Sequence, residues 1–318
     1  MRVSRYWVHV LLFFLISICG LRAPAASKAD SEAHPQSSAE NAAIVLPLDY
    51  VSNHLYTTLN GPNDMPLTFL VDTGSERTAI SSAIAKQSDL RKSLRKTSRS
   101  VTGYGNHPVD RQYKEVLLAL RIAGTPVFSA SALVFDFGEV SKLLGHPMDG
   151  VLGWDFFVQW CSTLDFGRKQ LILRAVSNCE APTGAQALKA KWSRRGLRMQ
   201  SVITFQNGRS ANALLGFDTG ADNTILLNTH FRAIAGIGED GPADSEMKGW
   251  GMNGEYTADV VPLASFKLDG DKIHVTSDAK TTILIGRKGT FSRTHWWLHI
   301  MGRVRDGGVG NAILEHLI

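Results

Sequence analysis

Cysteine is scarce. The 318-residue chain holds three, and one of them, Cys19, sits inside an apolar stretch near the N-terminus. Ten histidines are present, but none forms an HExxH pattern or joins paired cysteines, so the sequence predicts no metal site and calls for no cofactor. There is no Gly-x-Ser-x-Gly elbow, and no cysteine has the setting of a nucleophile. Asp-Phe-Gly occurs at 136–138 and 165–167, but no glycine-rich phosphate loop and strand lysine precede it, which excludes a kinase reading. Long apolar runs are also missing. The longest, Trp7 to Ile18, is too short for a comfortable membrane span.

That run follows Arg2 and Arg5 and leads into small residues, the layout of a secretory signal peptide over residues 1–26, with cleavage after Ala25 or Ala26. An uncleaved anchor is the competing reading, and contact with a membrane is expected only in that case. Removing residues 1–25 takes away Arg2, Arg5 and Arg22 and no acid, so the formal net charge falls from +5 to +2. The basic character therefore argues little for nucleic acid. The densest basic stretch, 91–99, has no aromatic residue to stack on bases. The sequence thus points to an exported, periplasmic or secreted protein that does not bind nucleic acid.

Beyond the signal only Cys161 and Cys179 remain. They flank a stretch that reads as a hairpin turning near Gly167-Arg168, and in an exported chain they read as one disulfide. The alternative is two separate buried thiols.

Hydrophobic content of 44% and charged content of 20% describe a globular chain long enough for two domains. Two internal copies supply them. "LTFLVDTGSERTAIS" (67–81) runs apolar residues into Asp72-Thr73-Gly74, and "ANALLGFDTGADNTILL" (211–227) repeats this at Asp218-Thr219-Gly220, 146 residues later. Thirty-one residues past each Asp comes a glycine-rich segment, Gly103-Tyr104-Gly105 and Gly249-Trp250-Gly251. Further on, "DGVLGWDFF" (149–157) echoes "GGVGNAILEHL" (307–317), with Gly153 and Gly310 offset by 157. Each Asp-Thr-Gly is preceded by strand, Asn-Gly turn and strand. Strands are also expected over 115–124, 129–137, 260–268 and 272–286, and short helices over 81–87, 154–160 and 311–318. Residues 27–43 read as a flexible lead-in, 44–177 as one lobe, 178–196 as a linker and 197–318 as a second lobe.

The chemistry follows from the pairing. Two carboxylates brought close together cannot both ionise, so they share a proton. The charged member can take a proton from water while the neutral one gives a proton to a carbonyl oxygen. The Thr73 and Thr219 hydroxyls can tie the opposing loops, and Ser75 can hydrogen-bond its own Asp loop where Ala221 cannot.

On "VDTGS" (71–75), "FDTGA" (217–221), "VLG" (151–153) and "GVG" (308–310), the sequence resembles the aspartic proteases of the retropepsin/pepsin group, in a bacterial-type single-chain form. The resemblance covers roughly residues 44–318. It implies a mainly-β fold of two similar lobes with the active-site cleft between them. It also implies Asp72 and Asp218 as the catalytic pair, with Thr73, Gly74, Ser75, Thr219, Gly220 and Ala221 supporting them. The segments at Gly103–Gly105 and Gly249–Gly251 become flaps over an extended polypeptide. Because each lobe supplies one Asp, one chain suffices for one site, and a monomer is expected. A pepsin-fold protein that binds peptides without cutting them is the alternative. Departures from the group are Ala221, the absence of a terminal strand pair in lobe two, and the basic segment 286–308, which has no partner in lobe one.

Overall fold

The structure, a computed structural model, describes residues 43–97, 113–193, 196–238, 246–251, 254–276, 282–287 and 306–315. Its strands form three sheets, one of eight strands in the first half of the chain, one of nine in the second, and a separate three-stranded sheet.

The two large sheets share one plan. In the first, the order is Asp49–Val51, His54–Asn60, Pro66–Val71, Gly150–Leu152, Ala79–Ser81, Thr125–Phe135, Lys114–Ile122, Arg95–Lys96. In the second it is Lys191–Ser193, Gly196–Phe205, Ser210–Phe217, Gly307–Val309, Ile225–Leu227, Thr282–Gly286, Gly254–Leu268, Glu246–Gly251. Even the two parallel contacts recur. Pro66–Val71 runs parallel to Gly150–Leu152, and Ser210–Phe217 parallel to Gly307–Val309. Ala79–Ser81 runs parallel to Thr125–Phe135, and Ile225–Leu227 parallel to Thr282–Gly286. The second sheet adds one strand, Ile273–Thr276.

Burial explains why apolar runs lead into each Asp. A strand covered on both faces needs apolar residues at successive positions rather than alternate ones. Phe69 and Val71 point into the main core, while Leu70 between them packs with Tyr56, Leu133, Phe137, Met148 and Val151 in a second cluster. Strands with one wet face alternate instead. In Lys114–Ile122, Val116, Leu118 and Leu120 are buried while Leu117, Ala119 and Arg121 face outward.

The three-stranded sheet joins Ile44–Pro47, Gln170–Arg174 and Cys161–Asp165, all from the first half. Among the described residues the second half supplies no counterpart. Cys161 and Cys179 are bonded across the end of this hairpin, with Cα atoms 5.4 Å apart.

Several local expectations change. Within the stretch 272–286 the described residues form strands Ile273–Thr276 and Thr282–Gly286, both antiparallel to Gly254–Leu268, and 277–281 lie outside the described residues. The first Asn-Gly turn is a longer loop, since Asn60 pairs with Pro66 and the left-handed residues are Asn63 and Asp64. The segment 178–196 is not wholly a linker, because Lys191–Ser193 pairs with Gly196–Arg198 and opens the second sheet as Asp49–Val51 opens the first. Helix Gly138–Leu144, closed by Gly145 in the left-handed conformation (φ 66°), and helix Phe231–Ala235 lie where no helix was expected. The signal segment 1–26, nearly all of the 27–43 lead-in and the centre of the 286–308 segment lie outside the described residues. Among the described residues no helix is long and apolar enough to cross a membrane.

Candidate active site

Each Asp is held at the end of its strand by the same set of bonds. The Asp72 amide donates to the Leu152 carbonyl and the Asp218 amide to the Val309 carbonyl, both at 3.0 Å. The next turn is fixed by the short helix behind it. The Trp154 amide donates to the Ser75 carbonyl (2.7 Å), and the Asn311 amide to the Ala221 carbonyl (2.9 Å). Leu152 and Trp154 correspond to Val309 and Asn311 by the same 157-residue offset read from the sequence.

The two loops then lock together. The Thr73 amide donates to Thr219 Oγ1 (3.0 Å), and the Thr219 amide to Thr73 Oγ1 (3.2 Å). Thr73 Oγ1 donates to the Phe217 carbonyl (2.9 Å), and Thr219 Oγ1 to the Val71 carbonyl (2.8 Å). Each hydroxyl thus accepts from and donates to the other lobe. Each carboxylate meanwhile lies against the other loop's glycine, Asp218 on Gly74 and Asp72 on Gly220. A Cβ at either glycine would overlap the carboxylate. Neither has a positive φ, so the requirement is space rather than conformation.

The loops are not equivalent. Asp72 Oδ1 accepts from the Gly74 and Ser75 amides (2.8 and 2.9 Å), whereas Asp218 Oδ1 accepts from the Gly220 amide (3.2 Å). Ser75 Oγ donates to the Arg77 carbonyl (2.9 Å) rather than to the Asp72 carboxylate. In lobe two, Asn311 is wholly buried, and its Nδ2 donates both to the Thr219 carbonyl (2.8 Å) and to the Asn53 carbonyl of lobe one (2.7 Å).

Around the carboxylates lies a cleft of about 670 Å³ lined by residues of both lobes. One wall is apolar, built from Leu70, Leu133, Phe135, Phe137, Met148 and Val151 with helix Gly138–Leu144 above it. The other includes Leu226, Tyr256 and the strand residues Met247–Gly251. At repeat positions the walls differ in kind, since the paired residues Leu70 and Val151 correspond to the paired residues Gly216 and Gly308. Of the expected flap residues, Gly249, Trp250 and Gly251 line the cleft, with Trp250 half-exposed. Gly103, Tyr104 and Gly105 lie outside the described residues.

Charges behind the first loop were not anticipated. Thr78 donates to Asp155 Oδ1 through both its amide and its hydroxyl (2.7 Å each), and Arg77 approaches the other oxygen (3.7 Å). Burial raises the Asp155 carboxyl above the usual range and outweighs those stabilising contacts. Arg77 also nears Glu115, which Arg95 binds at 2.8 Å. Burial would raise Glu115 as well, but there the Arg95 hydrogen bond and the neighbouring positive charges prevail and hold it low. Two further aspartates could have been found from the repeat. Asp149 brackets Thr68, amide to carbonyl and carboxylate to amide, as Asp306 brackets Leu214, and they sit 157 residues apart.

Residues 56–156 match a protein family model described as Aspartyl protease. No curated protein matches the chain. Among solved structures it is similar to a retropepsin-like aspartic protease from Rickettsia conorii, at 18% identity and a TM-score of 0.30, over 42% of this chain and 91% of that one. It is also similar to Basic 7S globulin from soybean, at 11% identity and a TM-score of 0.42, over 87% and 90% of the two chains. A third is an aspartic proteinase from Irpex lacteus, at 13% identity and a TM-score of 0.46, over 86% and 92%. Residues 56–156 thus carry sequence that matches an aspartyl protease family model, within a mainly-β chain whose two halves repeat one sheet plan.

Proposed function

We propose that the protein is an aspartic endopeptidase whose Asp72 and Asp218 act as one acid–base unit. One observation carries the reading. The two Asp-Thr-Gly loops interlock through Thr73 and Thr219, with each carboxylate set against the other loop's glycine. The ionised carboxylate takes a proton from water, and the oxygen attacks the carbonyl carbon of a scissile amide. The protonated carboxyl gives its proton to the carbonyl oxygen. Collapse of the tetrahedral species breaks the C–N bond as a proton passes to the leaving nitrogen, and one shared proton remains on the pair. Such a pair titrates as a unit.

The substrate is an extended polypeptide lying along the cleft, with the hairpin that carries Trp250 against it. Exported location, with residues 1–26 as a signal, is part of the proposal and agrees with the Cys161–Cys179 bond. One chain completes one site, because the interlocked loops come from its two halves. The alternative, a peptide binder that does not cut, would follow most simply from loss of one Asp, and both are present.

The test compares the mature chain with Asp72→Asn and Asp218→Asn on an unstructured protein between about pH 3 and 8, a range that spans carboxylate titration. New peptide ends are read by mass spectrometry. Cleavage by the parent alone supports the proposal. A folded parent that cuts at no pH turns the reading to peptide binding, and equal cleavage by all three rejects the pair.

A further inference from the structure

Glu246 and Asp259 stand directly opposite each other on the two strands of the hairpin that carries Trp250. Like charges at such a position repel and weaken the pairing. Here a third residue joins them. Arg287, just past the end of strand Thr282–Gly286, donates from Nε and Nη2 to Asp259 Oδ1 (2.9 and 2.7 Å) and from Nη1 to Glu246 Oε2 (2.7 Å). Its amide also donates to the Thr257 carbonyl of the same hairpin (2.9 Å). Asp259 is fully buried, and its other oxygen accepts from Arg232, whose helix packs behind the sheet. The corresponding strands of lobe one meet differently. There the opposed pair, Arg95 and Glu115, is already of opposite charge.

We propose that Arg287 is a positioning residue for substrate binding. Its guanidinium clasps the base of the hairpin 246–259 and so fixes Met247–Gly251 against the cleft. This rests on the peptidase reading, in which that hairpin covers an extended peptide. A planar fork that meets both carboxylates cannot be replaced by the single point charge of lysine. Loss of the clasp leaves Asp259 its Arg232 partner, so the lobe keeps its fold while the hairpin base is pushed apart. The reacting carboxylates lie on separate loops and keep their geometry.

The experiment uses the full mature chain with a peptide substrate identified from the cleavage map. Arg287→Ala is expected to raise KM about tenfold while kcat stays within about twofold, the pattern of lost binding rather than lost chemistry. Arg287→Lys falls between. Glu246→Gln alone weakens the parent mildly, about threefold in KM, but in the Arg287→Ala background it removes the repulsion and lowers KM again. That reversal of sign is what a merely structural arginine would not produce. The same four proteins, followed by amide hydrogen exchange over 247–258, show faster exchange in Arg287→Ala and its partial recovery in the double variant. Unchanged KM with unchanged exchange overturns the proposal, as does a fall confined to kcat or to thermal stability. If Arg287→Ala does not fold, Glu246→Gln decides through the same two readouts. A parent that exchanges as expected but cuts nothing refutes the peptidase reading and leaves the clasp to be judged by exchange alone.

Discussion

Gly74 lies against the Asp218 carboxylate so closely that any side chain on Gly74 would take the carboxylate's own place, and Gly220 stands in the same relation to Asp72. Gly74→Ala and Gly220→Ala are therefore expected to fold, since neither position needs a positive φ, but to displace the opposite carboxylate. Displacement of a reacting group by about 1 Å is enough to cost about a hundredfold in rate. Steady-state kcat with near-parent circular dichroism checks this, and an alanine variant of parental activity would refute it.

Thr219 is buried, and its hydroxyl both accepts from the Thr73 amide and donates to the Val71 carbonyl. Thr219→Val keeps the shape and strands both groups, at a cost of about 2 kcal/mol. Thr219→Ser keeps the hydroxyl and stays near the parent. Because Thr73 and Thr219 share one network, the double valine variant is expected to lose less than the sum of the singles. Urea unfolding of the four proteins measures it.

The partly buried Asp155 carboxyl titrates above its ordinary range. Protonation is thus more favourable folded than unfolded, so its contribution to stability is greatest below the unfolded value of about 3.9 and is lost as pH rises through the higher folded value. Asp155→Asn cannot ionise, yet its Oδ1 can still accept from Thr78. Thermal melts of both proteins across that window should show the parent losing ground to the variant as pH rises. A constant difference would rule out Asp155 as the source.

The Cys161–Cys179 bridge spans 18 residues and ties down the edge of the three-stranded sheet. Closing a loop of this size stabilises by about 3 kcal/mol, so Cys161→Ser with Cys179→Ser should lower the melting temperature markedly. Neither residue lines the cleft, and kcat at a temperature where the variant is folded should be unchanged. A stability equal to the parent's would argue against the bridge.

The two-lobed plan was legible because duplication writes the same strand signals twice. Offsets of 146 and 157 carry over to backbone bonds, Asp72 to Leu152 and Asp218 to Val309. What could not be read lies outside the repeat or off the core. Arg77 with Asp155 and Arg287 with Glu246 are contacts between distant residues that have no copy in the other lobe. Helix Gly138–Leu144 escaped notice because its apolar residues, Val140, Leu143 and Leu144, face the cleft instead of marking a buried stripe. The reason for Gly74 and Gly220 was invisible for a related cause. A close approach between loops 146 residues apart leaves the same letter in the sequence as a turn does.

The unlike walls at Leu70 and Val151 against Gly216 and Gly308 carry a further consequence. A site assembled from two identical chains must accept every change twice, and it presents a peptide with the same surroundings in either direction of travel. Fusion of the halves removes that constraint. One half of this cleft can be refilled while the other stays open, and on the proposed peptidase reading a polypeptide, which itself has a head and a tail, can then be told which way to lie.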